Sequence, residues 1–145
     1  MSYCYLSSTT VEVDPAALQA QATEFLQSVA TVGLAGDVLE DLCAAAAAVL
    51  HIGNLEFVET PKGGGLRLDS DLPLVHACRL LRVPQSELMR LLTTSTQATA
   101  EDVVTRARSK ADAEWLRDAL AEQLYRGAFQ FLVRRWVVKA PRGSA

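Results

Sequence analysis

The sequence has few of the side chains that bind metals or act as nucleophiles. It contains two histidines, His51 and His76, and three cysteines, Cys4, Cys43 and Cys78. Neither histidine has a partner at a spacing typical of zinc ligands, so we predict structural roles: His51 satisfies carbonyl groups at a helix end, and His76 flanks the core. The cysteine number is odd and no CxxC pair occurs, which favours a reduced protein. Cys43 and Cys78 lie in apolar helical patterns and are predicted to be buried, inert thiols.

Long apolar runs and an excess of positive charge are also absent. The longest apolar run, residues 42–50, is mostly alanine and far shorter than the ~20 residues that span a bilayer, so no membrane span is predicted. Residues 1–6 lack the basic and apolar regions of a secretory signal, and we expect none. The net charge of −3 and the pI of about 5.4 exclude an overall basic field, so no nucleic-acid partner is predicted.

Helical periodicity dominates the first third of the chain. The 145 residues, half of them hydrophobic, are enough for one domain. Asp14 is an N-cap for a helix predicted over residues 15–33, because proline follows it and apolar residues then recur at helical spacing. A second helix is predicted over residues 36–54. Gly53 and Asn54 are expected to end it, because both tolerate the left-handed conformation that closes many helices.

The middle of the chain alternates short extended pieces with short helices. Strands are predicted over residues 55–58 and 66–68, and the glycine-rich loop between them predicts a small β-hairpin. Helices are predicted over residues 73–81 and 83–92, where Asp and Pro provide start signals. Residues 93–99 have no periodicity and are followed by Val103 and Val104, which indicates an exposed loop that includes one strand pair.

The last helix is predicted from Ser109 to about Val138, roughly 40 Å at 1.5 Å per residue. A compact domain of this size does not cover such a helix fully, so its apolar stripe is a candidate partner surface. That stripe consists of Trp115, Leu116, Ala119, Leu120, Leu124, Ala128, Phe131 and Leu132. Residues 140–145 are predicted to be a disordered tail. The sequence therefore predicts a mainly α fold, a helical bundle fragment with a small β-hairpin and a long C-terminal helix.

Four motifs together resemble the middle of a myosin motor head. Residues 49–57, Val-Leu-His-Ile-Gly-Asn-Leu-Glu-Phe, are similar to a helix end of that family, and residues 117–125, Arg-Asp-Ala-Leu-Ala-Glu-Gln-Leu-Tyr, to a later long helix. Residues 3–6, Tyr-Cys-Tyr-Leu, and residues 80–88 add two weaker matches, with Arg82 where glycine is usual. The order and the gaps are compatible with the family. The resemblance implies a partial myosin motor-like domain over residues 1–139.

This resemblance implies the upper half of an actin-binding region. The loops over residues 58–71 and 95–108 would contact filamentous actin, and the last helix would bridge to the remainder of the motor domain. Candidate actin contacts are Lys62, Arg67, Thr96, Arg106 and Arg108. Thr96 stands near a place where many family members have a basic residue. The implied location is cytoplasmic and associated with the cytoskeleton.

Elements that would hold ATP are missing from the sequence. It has no GxxxxGK[ST] P-loop, and the order around the glycines at 63–65 is wrong for a phosphate cradle. The Asn-x-x-Ser-Ser-Arg and Asp-x-x-Gly-Phe-Glu segments of the family are also absent. We therefore expect no catalytic, cofactor-binding or metal-binding residue and no ATPase activity in this chain alone. Mg-ATP would be the cofactor of an intact head.

Other interpretations remain open at this stage. The chain could be a non-catalytic helical module that binds actin or another protein, or a truncated product without independent function. Arg106, Arg108, Lys110 and Arg117 form a local basic cluster, which is either a solvated helix start or an actin contact. Asp112, Glu114, Asp118 and Glu122 are expected to form the solvated face of the last helix.

Overall fold

The fold is mainly α, as predicted. The computed structural model describes residues 3–6, 14–31, 33–61, 64–98 and 103–139. Within these ranges the helices are α1 (Pro15–Thr31), α2 (Asp37–Gly53), α3 (Leu72–Leu81), α4 (Gln85–Thr93) and α5 (Lys110–Lys139). The strands are β1 (Phe57–Glu59), β2 (Leu66–Leu68), β3 (Thr94–Ala98) and β4 (Val103–Ala107), and Cys4–Leu6 form a 3-10 turn. The predicted tail, residues 140–145, lies outside the described residues.

The core lies where α2, α3, α4 and α5 meet the first hairpin. Its buried residues are Ile52, Leu55, Phe57, Leu68, Leu74, Ala77, Cys78, Leu88, Leu92, Ala113 and Ala121. Phe57 is the largest fully buried side chain. Ala77 and Ala113 are completely buried, and such small residues allow neighbouring backbones to approach closely. Burial of each large apolar side chain contributes about 1.5–3 kcal/mol to the free energy of unfolding.

Two antiparallel hairpins extend from this helical body. In the first, Phe57 pairs with Leu68 and Glu59 with Leu66, which confirms the predicted small hairpin. In the second, Thr94 pairs with Ala107. This is the strand pair predicted within the exposed loop that begins at residue 93. Polar threonines occupy several positions in these two strands, so the alternation of apolar and polar residues that predicts most strands is interrupted.

Several local predictions are wrong. Cys43 is exposed, whereas Cys78 is buried as expected. Asn54 ends α2 with φ −89°, outside the left-handed region, and its N–H donates to the carbonyl of His51. A left-handed conformation occurs instead at Arg82, with φ 57°, after α3. The physical reason is that Leu55 must turn into the core directly after α2, which a tight turn at Asn54 permits.

α1 is the helix with the least cover. Of its 17 residues only Val29 is buried, while Leu18, Phe25 and Leu26 are about half exposed. The periodicity predicted an apolar side for this helix, and that side is present but lacks a complete partner within the described residues.

Candidate functional site

The first hairpin lies beside the base of the second hairpin, at the beginning of α5. A cleft of about 280 Å³ separates them, lined by Glu59, Thr60, Gly65, Leu66, Ala107, Arg108, Ser109 and Lys110. Ser109 begins α5 because its hydroxyl oxygen accepts from the backbone N–H of Asp112 at 3.1 Å. Described residues of the first hairpin therefore lie next to the base of the second, although many residues separate them in the sequence.

The predicted site residues have different environments in this pair of hairpins. Arg67 is exposed on β2, opposite Val58, and its Nη1 donates to the carbonyl of Leu68 at 3.2 Å. Arg106 is exposed on β4, opposite Ser95. Lys62 lies outside the described residues. Arg67 and Arg106 are consequently the two candidates whose charged side chains are exposed on the described strands.

Thr96 and Arg106 lie on opposite faces of the second hairpin. Thr96 pairs with Thr105, whereas Arg106 pairs with Ser95, one residue away on each strand. Successive side chains of a strand point to opposite faces, so these two sets are separated by the ribbon. A single flat partner cannot contact both candidates on this hairpin.

Arg108 fixes the base of the second hairpin. Its backbone N–H donates to the carbonyl of Thr93 at 2.8 Å, and its Nε donates to the carbonyl of Thr94 at 3.0 Å. The side chain is half-buried. These bonds position β4 against the end of α4, so Arg108 has a structural role in the folded chain.

The predicted basic cluster is split in the structure. Arg117 turns inward: its side chain is only 15% exposed, and Nη1 donates to the carbonyl of Leu55 at 2.9 Å. Lys110 is within 3.8 Å of Glu114 in an exposed ion pair. Of the four predicted members, only Arg106 presents its charge to solvent without such a partner in the described part of the chain.

Asp118 is exposed, as predicted for the solvated face of this helix, but it is also held in a hydrogen-bond network. It accepts hydrogen bonds from the Tyr5 hydroxyl at 2.6 Å and from Nε of Arg117 at 2.9 Å. Burial raises the pKa of Asp118, but the hydrogen bonds from Arg117 and Tyr5 outweigh it and lower this pKa. Burial and the hydrogen bond to Asp118 raise the pKa of Tyr5 to about 12. Tyr5 and Asp118 both lie in motifs that resemble the myosin head, and those motifs are the sequence signal that could have identified them.

His51 does not satisfy helix-end carbonyls as predicted. Its Nδ1 is buried and has no hydrogen-bond partner among the described residues, and its ring stacks on that of His76. Within the same ranges, no three His, Cys, Asp or Glu side chains converge to hold a metal ion. None of the helices in these ranges is long and apolar enough to cross a membrane.

Apolar grooves flank the C-terminal half of α5. One, about 310 Å³, contains Phe25, Val29, Tyr125, Phe129 and Leu132 on its wall. Another, about 410 Å³, lies between α2 and α5 and includes Leu42 and Phe131.

The stripe predicted for α5 is partly displaced. Trp115 is 72% exposed, whereas Ala113 and Ala121 are buried where α5 packs against the core. Leu116, Leu120 and Leu124 pack partly buried against the core as expected.

Comparison with known proteins decides the family. A model of the myosin head (motor domain) family matches residues 1–140. The chain belongs to this family. Human unconventional myosin-Ig is 31% identical over 123 residues, which cover 81% of this chain and 12% of that protein.

Two further relatives are similar to this myosin-head segment. Human unconventional myosin-Ib is 31% identical over 136 residues, covering 92% of this chain and 12% of that protein. Drosophila melanogaster unconventional myosin IC is 34% identical over 109 residues, which cover 75% of this chain and 10% of that protein. The segment thus spans about a tenth of the length of these relatives.

Proposed function

We propose that this myosin-head segment supplies part of the actin-facing half of an ATP-driven, actin-based motor. Mg-ATP would be bound by other parts of an intact head, because the sequence here has no P-loop. The proposed location is cytoplasmic, in association with the cytoskeleton. The observation that carries this proposal is the adjacency of the two hairpins across the 280 Å³ cleft in a member of the myosin head family.

Arg67 and Arg106 are the proposed charged contacts with filamentous actin. Both are exposed, and each lies on a different hairpin, next to a residue that lines the cleft: Leu66 beside Arg67 and Ala107 beside Arg106. The chain as a whole carries a net charge of −3, so attraction to an acidic filament depends on such local charges. Exposed contacts of this kind are screened by salt over about 8–10 Å. Binding is therefore expected to be weak and salt-sensitive.

The remainder of a motor domain is the proposed partner of α5 and α1. Phe129 and Phe131 are 58% and 45% exposed and line different grooves, so the C-terminal half of α5 is apolar on more than one side. A helix with this distribution is typically surrounded by other elements. The sequence also has no Asp or Glu after Glu122 but five basic residues: Arg126, Arg134, Arg135, Lys139 and Arg142. The covering segment is accordingly proposed to be apolar with acidic residues at its edge.

Cosedimentation with filamentous actin tests the proposed contacts. The wild-type chain is compared at low and moderate salt with the double variant Arg67→Ala/Arg106→Ala. The matched control is Arg79→Ala/Arg90→Ala, which removes the same charge from exposed positions on α3 and α4. We expect the hairpin variant to pellet less than wild type at low salt, and the control to pellet like wild type. Equal loss in both variants, or pelleting indifferent to salt, would contradict the actin-facing assignment.

A non-catalytic interaction module is the second candidate function, because the sequence carries none of the ATP-holding elements. The two candidate functions predict different coding sequences on either side of this segment. A P-loop encoded upstream and an Asp-x-x-Gly-Phe-Glu segment downstream support the motor. A frame that ends with this segment, together with retained actin binding, supports the module.

A further inference from the structure

The only two histidines of the sequence are in contact with each other. His51 lies in the last turn of α2 and His76 lies within α3, and their ring centroids are 4.9 Å apart with planes inclined by 30°. Tyr3 closes the other side of His51, with centroids 5.6 Å apart and an edge-on angle of 76°. The stack therefore joins the N-terminal segment to the two helices.

This arrangement suits neutral imidazoles. Nδ1 of His51 is buried without a hydrogen-bond partner in the described part of the chain. In the charged imidazolium both ring nitrogens are donors, so protonation of His51 creates a donor that nothing nearby accepts. His76 is exposed, and its ring lies directly against that of His51.

Among the described residues, His76 is the one charged neighbour that shifts the pKa of His51, and no carboxylate acts on it. From α3, His76 faces His51, and the next titratable side chains are the buried Cys78 and the exposed Arg79. From the N-terminal segment the facing group is the Tyr3 ring. On α5, the Asp118 carboxylate accepts hydrogen bonds from Tyr5 and Arg117.

We propose that the His51–His76 pair is a proton-sensitive junction, in which the neutral rings hold α2, α3 and Tyr3 together and acidification separates them. Burial and the neighbouring His76 lower the pKa of His51. The folded chain therefore binds fewer protons than the unfolded chain once the pH falls below the ordinary histidine pKa of about 6.5. Stability contributed by the pair is complete above that pH and declines as the pH falls from it toward the pKa of folded His51.

Nuclear magnetic resonance of the full chain with labelled histidines tests the junction between pH 8 and pH 5. We expect one histidine to titrate below its ordinary range, and its pKa to rise toward that range in the His76→Gln variant. The contacts between the rings of Tyr3 and His51 should weaken at the acid end in wild type. His76 is exposed, so its replacement removes the ring stack on His51 without opening a cavity in the buried core.

Thermal unfolding gives an independent readout. Between pH 7.5 and pH 5.5, the melting temperature of wild type should fall by at least ~3 °C more than that of His76→Gln, on the scale expected for a domain of this size. Two histidines that titrate independently in their ordinary range, with the same pH dependence of melting in both proteins, would overturn the proposal. Neither readout involves actin or ATP, so failure here is separate from failure of the proposed motor function.

Discussion

The hydroxyl of Tyr5 donates a hydrogen bond of 2.6 Å to Oδ1 of Asp118, 113 residues further along the chain. Asp118 also accepts a hydrogen bond from Nη2 of Arg117. Nη1 of Arg117 donates to the carbonyl of Leu55 at 2.9 Å. The Tyr5–Asp118–Arg117 network thus ties the N-terminal turn and the loop after α2 to the long helix α5. All its members lie within motifs shared with the myosin head or directly beside them.

Tyr5→Phe should lower the free energy of unfolding by about 0.5–1.5 kcal/mol. A hydrogen bond to a charged group contributes about 1.5–3 kcal/mol when buried, and Tyr5 is 39% exposed, which reduces that value. Urea unfolding provides the measurement. Tyr125→Phe is the control, because Tyr125 is 63% exposed and makes no side-chain hydrogen bond in the described ranges.

The same bond can be isolated by adding Asp118→Asn to Tyr5→Phe. Residues in one hydrogen-bond network are coupled, so the double variant should lose less than the sum of the single losses. Strict additivity of the two substitutions would show that the bond does not contribute to stability in solution.

Alkaline titration should detect the raised pKa of Tyr5. Its pKa is raised from 10.0 to about 12, so the folded chain retains this proton where the unfolded chain has lost it. The resulting stability is present below pH 10 and is lost as the pH rises toward 12. Near-ultraviolet absorbance of phenolate should show a late component that is missing in Tyr5→Phe. If the late component persists in that variant, the assignment of the raised pKa to Tyr5 is wrong.

Gly53→Ala should destabilise the chain by about 1–3 kcal/mol through overpacking. A Cβ at position 53 would overlap the Tyr5 ring, so the N-terminal turn must move away from α2. Gly127→Ala is the matched control, because a Cβ there meets nothing within 4 Å and α5 gains helix propensity of about 0.5–1 kcal/mol. Opposite changes in melting temperature are expected for the two variants. A Gly53→Ala chain as stable as wild type would mean that Tyr5 does not pack there.

Features of this fold that depend on neighbouring residues could be predicted from the sequence, whereas features that depend on distant segments could not. The starts of α1, α3 and α4 could be predicted because Pro15, Pro73 and Pro84 act within one turn of the chain. The contact between Tyr5 and Asp118 could not be predicted. Helical periodicity shows which face of a helix a residue lies on, but not which distant residue contacts it.

The orientation of α5 was harder still to predict. Apolar residues occur on several sides of this helix, and only the folded structure shows that Ala113 and Ala121, rather than Trp115, are buried against the core. The candidate site was predicted as two loops, and the structure adds that they are adjacent hairpins. Arg108 and Arg117 looked equivalent to Arg106 by charge, but their hydrogen bonds to the carbonyls of Thr94 and Leu55 distinguish them.

Arg82→Gly should raise the free energy of unfolding by about 0.5–1 kcal/mol. Arg82 closes α3 with φ 57° and ψ 39°, a left-handed conformation that costs a non-glycine residue about 1–2 kcal/mol, and glycine adopts it without that cost. The substitution also removes the pair with Asp41 at 3.3 Å, but both side chains are mostly exposed and such pairs contribute little. Asp41→Ala measures that contribution separately by urea unfolding. A less stable Arg82→Gly chain, with Asp41→Ala unchanged from wild type, would show that the conformational argument fails at this helix end.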